Sequence, residues 1–221
     1  MGKINLFITN ANTDFSKDDI ELIEKACKAS EEFISNNFTF DYDVDLIIVS
    51  PSYLMYAIPE DGISGRTYRS NLIIVVIDQT KVKVTEEVVF ETICHEMSHS
   101  LRWEKVPEHA NTMFEGFILE GLAIALEEKA IEDSGKGSSQ FFLQEMKRTD
   151  EFMVKSMIEN LKNNFDDEKY NYEQIFYTGN DKIPRWTGYR LGYHYVQEYL
   201  KRTKATVPEA TLASYKDFKS E

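Results

Sequence analysis

The sequence is poor in cations, cysteine and long apolar runs. Its 221 residues include 25 Lys and Arg against 38 Asp and Glu, for a formal net charge of −13. This charge argues against nucleic acids and anionic membrane surfaces as partners, because an acidic protein is repelled by both. No stretch approaches 18 consecutive apolar residues, so we expect no transmembrane helix. Residues 1–8 lack the apolar region and cleavage site of a signal peptide, so we expect a cytoplasmic protein.

Cysteine is scarce as well. The two cysteines, Cys27 and Cys94, fall on separate predicted helices. A disulfide framework would require more cysteines in a suitable spacing. We therefore predict that both are buried free thiols, as in a protein of a reducing compartment.

The length fits one domain, 1–221, with an α/β subdomain over about 1–103 and a helical subdomain over about 104–221. The first part alternates predicted strands and helices, and the second is almost entirely helical. Ser16 and Thr85 are predicted helix N-caps with acidic residues directly after them. The fold class is therefore α+β, with a small mixed sheet. The predicted strands are 3–9, 44–50 and 71–78, and the later predicted helices are 109–133, 138–163 and 187–203.

Histidine is also rare, with four residues, yet two of them form one motif: residues 95–99 read His-Glu-Met-Ser-His. On a helix, positions i and i+4 share a face, so His95 and His99 can bind one metal ion. Glu96 lies next to them, within reach of a water on that metal. Two imidazoles and a carboxylate base are typical of a zinc hydrolase.

An exposed histidine pair is the alternative interpretation of this motif. Apolar residues recur at helical spacing beside the two histidines, which indicates a partly buried helix. Burial of two imidazoles and a carboxylate is costly unless a partner satisfies them, and a metal ion would do so. The context thus favours a metal site.

A catalytic zinc site needs a third protein ligand. The metzincin arrangement places a histidine six residues after the second motif histidine, but that position is Lys105. Two glutamates on the next predicted helix remain, Glu115 and Glu120. They are five residues apart, so both cannot face one ion. The small residues that follow Glu120 would allow close helix packing, which favours Glu120 as the third ligand. We interpret Glu115 as a solvated charge on the helix.

Three motifs occur in order: His-Glu-Met-Ser-His at 95–99, Glu-Gly-Leu-Ala at 120–123 and Gly-Tyr-Arg-Leu-Gly-Tyr at 188–193. With them the chain resembles the bacterial predicted zinc-dependent proteases of the gluzincin type, first described as a domain of unknown function. The resemblance implies a zincin-like α+β fold, zinc bound by His95, His99 and Glu120, and Glu96 as general base. Well-known gluzincins often carry an Asp four residues after the third ligand, where this chain has Ile124. The partner that orients the imidazoles is therefore not identified.

The function expected from these residues is hydrolysis of peptide bonds in a peptide or protein substrate. Zinc would lower the pKa of a bound water, and Glu96 would pass the water's proton to the leaving amine. The alternative is an inactive zinc-binding or protein-binding module on the same scaffold. The presence of Glu96 favours the enzyme, since a structural zinc site needs no base and is usually closed by four protein ligands.

The last motif offers donors that could stabilise the oxyanion of peptide hydrolysis: Tyr189, and behind it Tyr193 and His194. The alternative is that these tyrosines are core aromatics with satisfied hydroxyl groups. We also expect substrate to bind along the predicted strand 71–77, which precedes the predicted helix that carries His95 and His99. Its continuous apolar run is equally typical of a buried central strand.

Overall fold

A four-stranded mixed sheet forms the first part of the protein. The computed structural model describes residues 2–53, 57–106, 108–138 and 140–219. The sheet order is β1-β2-β4-β3, with β1, β2 and β4 parallel and β3 antiparallel to β4. The predicted α+β class is confirmed. The strands are β1 Ile4–Ile8, β2 Val44–Val49, β3 Ile63–Arg69 and β4 Leu72–Ile77.

Alternation along the strands buries one face of this sheet. Leu46 pairs with Leu6 on one side and Ile73 on the other, and Ile73 pairs with Thr67. Successive strand residues point to opposite faces, so these side chains share one face. Two helices cover it, α1 Lys17–Asn37 and α2 Glu86–Lys105.

The prediction that substrate binds along residues 71–77 is wrong. β4 is hydrogen-bonded to β2 on one side and to β3 on the other, so its backbone has no free edge. The edge strands are β1 and β3, and β3 was not predicted from the sequence. Its sequence, Ile-Ser-Gly-Arg-Thr-Tyr-Arg, has one aliphatic residue and a glycine, so it lacks the apolar alternation that marks a strand.

The helical part begins after α2. Ser16 and Thr85 cap their helices as predicted: each side-chain oxygen accepts a backbone N–H three residues on. The predicted single helix 138–163 is wrong, because the structure has two helices there: the first ends at Lys147, and the second is capped by Asp150, whose side chain accepts the N–H of Met153. The remaining α-helices are α3 Met113–Ser134, α4 Phe141–Lys147, α5 Glu151–Leu161, α6 Thr187–Thr203 and α7 Val207–Thr211. A π-helix, Gln174–Thr178, precedes α6.

Helices α3 and α6 pack backbone against backbone. A Cβ built on Gly121 would lie 2.8 Å from Gly192 Cα, and one built on Gly192 would lie 2.9 Å from Gly121 N. No larger residue fits at either position without moving a helix. The glycines therefore fix how closely α3 lies to α6.

Two hydrophobic cores result. One lies between the sheet, α1 and α2, and the other lies among the helices after α2. Helix α3 contributes to both, with Leu126 in the first and Leu122 in the second. Cys27 and Cys94 are buried free thiols, as predicted. Within the described residues, no helix is long and apolar enough to cross a membrane.

Candidate metal centre

The motif histidines lie in the middle of α2, where the helix crosses from the sheet to the helical lobe. Ile93 and Met97 of the same helix are fully buried in the first core, which turns His95 and His99 toward α3. The side chains of His95 and His99 are 13% and 17% exposed. The two rings therefore open into a nearly closed space between helices.

Glu120 on α3 completes a three-residue group. Its Oε2 lies 3.3 Å from His99 Nε2 and 3.6 Å from His95 Nε2. The three ligand atoms lie within 4.8 Å of one another. Ligands at 2.0–2.1 Å from a tetrahedral ion lie about 3.3–3.4 Å apart, so the donor set and its spacing fit zinc.

The rival carboxylate, Glu115, has another role. It is buried, and its carboxylate accepts hydrogen bonds from the backbone N–H groups of His109, Ala110 and Asn111. It thereby holds the loop between α2 and α3. Both oxygens of the Glu115 carboxylate therefore accept backbone hydrogen bonds, which leaves neither of them available to bind a metal ion at the histidine pair.

Glu127 is the partner that orients His95. His95 Nδ1 lies 2.9 Å from Glu127 Oε2, and Glu127 is 2% exposed. A proton on Nδ1 donated to this carboxylate leaves Nε2 unprotonated and free to bind metal. Glu127 was not predicted from the sequence, although it follows Glu120 by seven residues, two helical turns on the same face. Ile124, four residues after Glu120, is instead buried in the helical core.

Two more carboxyl groups lie buried near this pair. Glu91 is fully buried and accepts a hydrogen bond of 3.0 Å from Ser138 Oγ, while Asp61 accepts the N–H groups of Phe141 and Phe142. Within the described residues, one oxygen each of Glu91 and Glu127 has no hydrogen-bond partner. Burial, reinforced by the charge of Glu127, raises the pKa of Glu91 to about 8. Glu91 is thus a largely neutral acid at pH 7.

The electrostatics of the group favour positive charge. Burial alone would lower the pKa of His95, but the carboxylates of Glu120 and Glu127 outweigh it and raise the pKa to about 10. Burial disfavours the charged form of Glu120, yet the neighbouring His99 and His95 hold its pKa well below the usual range. A site that attracts protons in this way also attracts a divalent cation, which competes with those protons.

Glu96 contacts the edge strand β3. Thr67 Oγ1 lies 2.7 Å from Glu96 Oε2 and 2.9 Å from the Glu96 carbonyl oxygen. A Cβ on Gly65 would lie 2.7 Å from Glu96 Oε1, so only glycine lets the strand pass this close. The candidate base is therefore held between α2 and β3, with 5% of its surface exposed.

A tyrosine of the helical lobe fixes the candidate ligand Glu120. Tyr172 donates a hydrogen bond of 3.1 Å to Glu120 Oε1, and its ring stacks on Phe176 at 4.4 Å. The other oxygen, Oε2, is the one that faces both histidines. No sequence motif marks Tyr172, which lies in the short helical stretch that leads into the π-helix Gln174–Thr178.

The three donor candidates on α6 are separated by the fold. Tyr189 is 9% exposed and lines a cavity together with His95 and Glu96. Tyr193 lies one turn on and donates a 2.7 Å hydrogen bond to Glu128, outside that cavity's lining. His194 packs beside Tyr195 and does not line the cavity either. The structure thus brings Tyr189 to the histidines and leaves Tyr193 and His194 away from them.

This cavity, of about 490 Å³, runs from the metal group to the edge strand. Its apolar end is formed by Ile58, Phe142 and Trp186. Trp186 has a positive φ of 65°, an unusual conformation for a large side chain, and Arg185 stacks on its ring at 3.8 Å. The cavity has a size and composition typical of a ligand site.

The largely buried histidine pair, a carboxylate at ligand distance and an adjacent acid agree with a comparison that covers most of the chain. The family model described as "Predicted Zn-dependent protease (DUF2268)" matches residues 21–220. The chain belongs to this family. No curated protein and no solved structure matches the chain. Family membership confirms the resemblance to predicted zinc-dependent proteases, and within the described residues His95, His99 and Glu120 form a group that could hold a metal ion.

Proposed function

We propose that this protein hydrolyses peptide bonds with a zinc ion bound by His95, His99 and Glu120, the gluzincin arrangement. The observation that carries the proposal is the convergence of these three ligand atoms within 4.8 Å, in a member of a family described as predicted zinc-dependent proteases. Three protein ligands leave the fourth position for water, which distinguishes a catalytic zinc site from a structural one.

Bound zinc would supply a Lewis acid for the substrate carbonyl and a water of lowered pKa. Glu96 takes the proton from the attacking water and delivers it to the leaving amine. The hydrogen bond from Thr67 holds Oε2 of this carboxylate, which leaves Oε1 for the proton. Glu127 fixes the His95 ring so that Nε2 faces the ligand Glu120.

The substrate lies along β3, an edge strand of the sheet, past Ile63, whose carbonyl oxygen accepts the N–H of Ile58. An extended peptide can pair with such an edge through backbone hydrogen bonds. Gly65 and Thr67 of β3 contact Glu96, so a peptide on this edge passes the base. One side chain of the substrate enters the apolar end of the cavity.

Tyr189 is the proposed donor to the oxyanion. It lines the cavity beside Glu96, and the nearby charge of Glu120, after burial, raises the pKa of its hydroxyl well above the usual value, so the hydroxyl keeps its proton. Tyr177 is a second donor for the same position. It lines the cavity, is 49% exposed and has its ring 6.3 Å from that of Tyr189.

The test measures zinc content and peptide cleavage on the same preparations. The wild type should hold one zinc and cleave a mixed peptide library, and Glu96→Gln should hold zinc but lose about 10²–10⁴-fold in turnover. His95→Ala and His99→Ala should lose both zinc and cleavage. Tyr189→Phe and Tyr177→Phe should keep zinc, and the larger loss of kcat identifies the oxyanion donor.

Glu87→Gln is the matched control for Glu96→Gln, since Glu87 lies on the same helix and pairs at the surface with Lys136. It should behave like the wild type. Zinc bound in full without cleavage of any peptide would favour the inactive binding module. One equivalent of zinc retained in both histidine variants would place the site elsewhere.

A further inference from the structure

The two arginines of the edge strand differ from the others in the chain. Of seven arginines, five bind carboxylate or carbonyl oxygens: Arg102, Arg148, Arg185, Arg190 and Arg202. Within the described residues, the guanidinium groups of Arg66 and Arg69 have no hydrogen bond or ion pair. Both are exposed, and both lie on β3. In a chain with 38 acids and 25 Lys and Arg, two cations without a carboxylate on one strand call for a physical explanation.

Their positions relate them to the candidate site. Arg66 lies between Gly65 and Thr67, the residues that contact Glu96, and it lines the cavity of the metal group. Arg69 lines a second surface cavity of about 580 Å³, whose lining also includes Trp103 and the carboxylates of Asp43 and Glu104. Tyr68 lines both cavities.

The stretch between the arginines matches a short length of peptide. Three residues of extended strand span about 10 Å, the length of about three substrate residues, and the pairing of β3 with β4 is irregular between Thr67 and Arg69 within this stretch. The Arg66 guanidinium lies 5.2 Å from the Tyr68 ring centre, a stacked position that limits its motion. A planar guanidinium held in this way is suited to a carboxylate, which it can bind through two parallel hydrogen bonds.

We propose that Arg66 and Arg69 select peptide substrates with Asp or Glu side chains within about three residues of the bond that is cleaved. This inference rests on the proposed function and adds the class of substrate. The net charge of −13 repels acidic peptides at long range, so the preference comes from local pairing on β3. A competing role for these residues is protection of the edge strand, since charged side chains prevent edge-to-edge aggregation.

The experiment uses the zinc-loaded protein and peptides blocked at both ends, with Glu or Gln at each of three positions on either side of a central dipeptide. The wild type should prefer Glu at one or more positions by about 2–5-fold in kcat/KM for each arginine engaged, the range of a partly exposed ion pair. Arg66→Gln and Arg69→Gln should each reduce the preference at a different position, and Arg66→Lys should retain part of it. Arg148→Gln is the control, because Arg148 is exposed at the end of α4 and lines neither cavity.

A second set of peptides with free C-termini separates side-chain carboxylates from the terminal one. A preference for peptides with a free C-terminus, without a preference for Glu over Gln, would overturn the proposal. Equal rates for Glu and Gln peptides in the wild type would overturn it as well. Unchanged preference in both Gln variants, together with faster aggregation, would assign the arginines to edge protection. Binding of fluorescent peptides to the Glu96→Gln variant, read by anisotropy, tests the same preference without turnover. Absence of any cleavage then counts against the proposed function, and absence of acidic preference counts against this inference.

Discussion

At the scale of single residues, Glu127 should control how well the site holds zinc. Glu127→Ala removes the acceptor of His95 Nδ1, so the ring loses its fixed tautomer and orientation. Loss of such a partner commonly lowers metal affinity 10–100-fold. A competition assay with a zinc chelator should show that loss, and a smaller one for Glu127→Gln, which keeps an acceptor.

The adjacent residue provides the control. Glu128 faces away from the histidines, toward Lys147 and Tyr193. Glu128→Ala should leave zinc affinity unchanged. Equal affinities in the two alanine variants would mean that His95 needs no carboxylate partner.

Thr67 offers a second residue-scale prediction, on turnover rather than on zinc. Thr67→Val keeps the shape of the side chain and removes the hydrogen bond to Glu96 Oε2. A hydrogen bond to a charged group contributes about 1.5 kcal/mol or more, so kcat should fall about tenfold with zinc content unchanged. Thr67→Ser keeps the hydroxyl and should restore most of kcat; a Ser variant as slow as Val would show that the hydrogen bond is not the cause.

At this scale the sequence was informative where one helix supplied the residues. His95, Glu96 and His99 are near neighbours on α2, so their spacing alone brings them together. Thr67 and Tyr172 reach the same group from an edge strand and from the start of a π-helical turn. Their contacts depend on how separate elements pack, which no local pattern records.

Among the elements, the contact between α3 and α6 should decide the position of Glu120. Gly121→Ala places a Cβ against the backbone of Gly192, so the helices must separate. We expect a loss of about 1–3 kcal/mol in unfolding free energy, and weaker zinc binding because the neighbouring Glu120 moves with α3. Thermal unfolding and zinc competition measure the two effects.

Gly137→Ala is the control, since a Cβ at Gly137 meets no atom within 4 Å. It should alter neither quantity. A Gly121→Ala protein with wild-type stability and zinc affinity would show that the two helices can adjust without cost.

The sheet shows why element prediction succeeded for some strands and failed for another. The apolar residues of β2 and β4, most of which are buried, mark both segments as strands, and both were predicted. β3 is an edge strand with Gly65 and exposed arginines, so its pattern is that of a loop. Strand order was not predictable either, because it depends on pairing between distant segments.

For the molecule as a whole, the buried acid Glu91 should make stability depend on pH. Its pKa rises from 4.5 to about 8 on folding. Between these values the unfolded chain has lost a proton that the native protein retains, so stability falls as pH rises through this window. Below pH 4.5 both states hold the proton, and the effect is absent.

Glu91→Gln removes this titration while it keeps the size of the side chain. Urea unfolding at fixed zinc, from pH 4 to 9, should show the wild type losing stability relative to the variant by up to about 1.4 kcal/mol per pH unit inside the window. Parallel curves for the two proteins would mean that Glu91 is charged in the native state.

One buried cation connects distant parts of the chain. Arg102, near the end of α2, is fully buried, donates to the carbonyl oxygens of Thr211 and Ala213, and pairs with Glu108. Thr211 follows it by 109 residues.

During synthesis the ribosome needs on the order of ten seconds to add a stretch of that length. Until then the guanidinium can pair with Glu108, which follows it by six residues, but it lacks the carbonyl oxygens of Thr211 and Ala213. We therefore expect the end of α2 to reach its final packing only after residues 211–213 have been added to the chain.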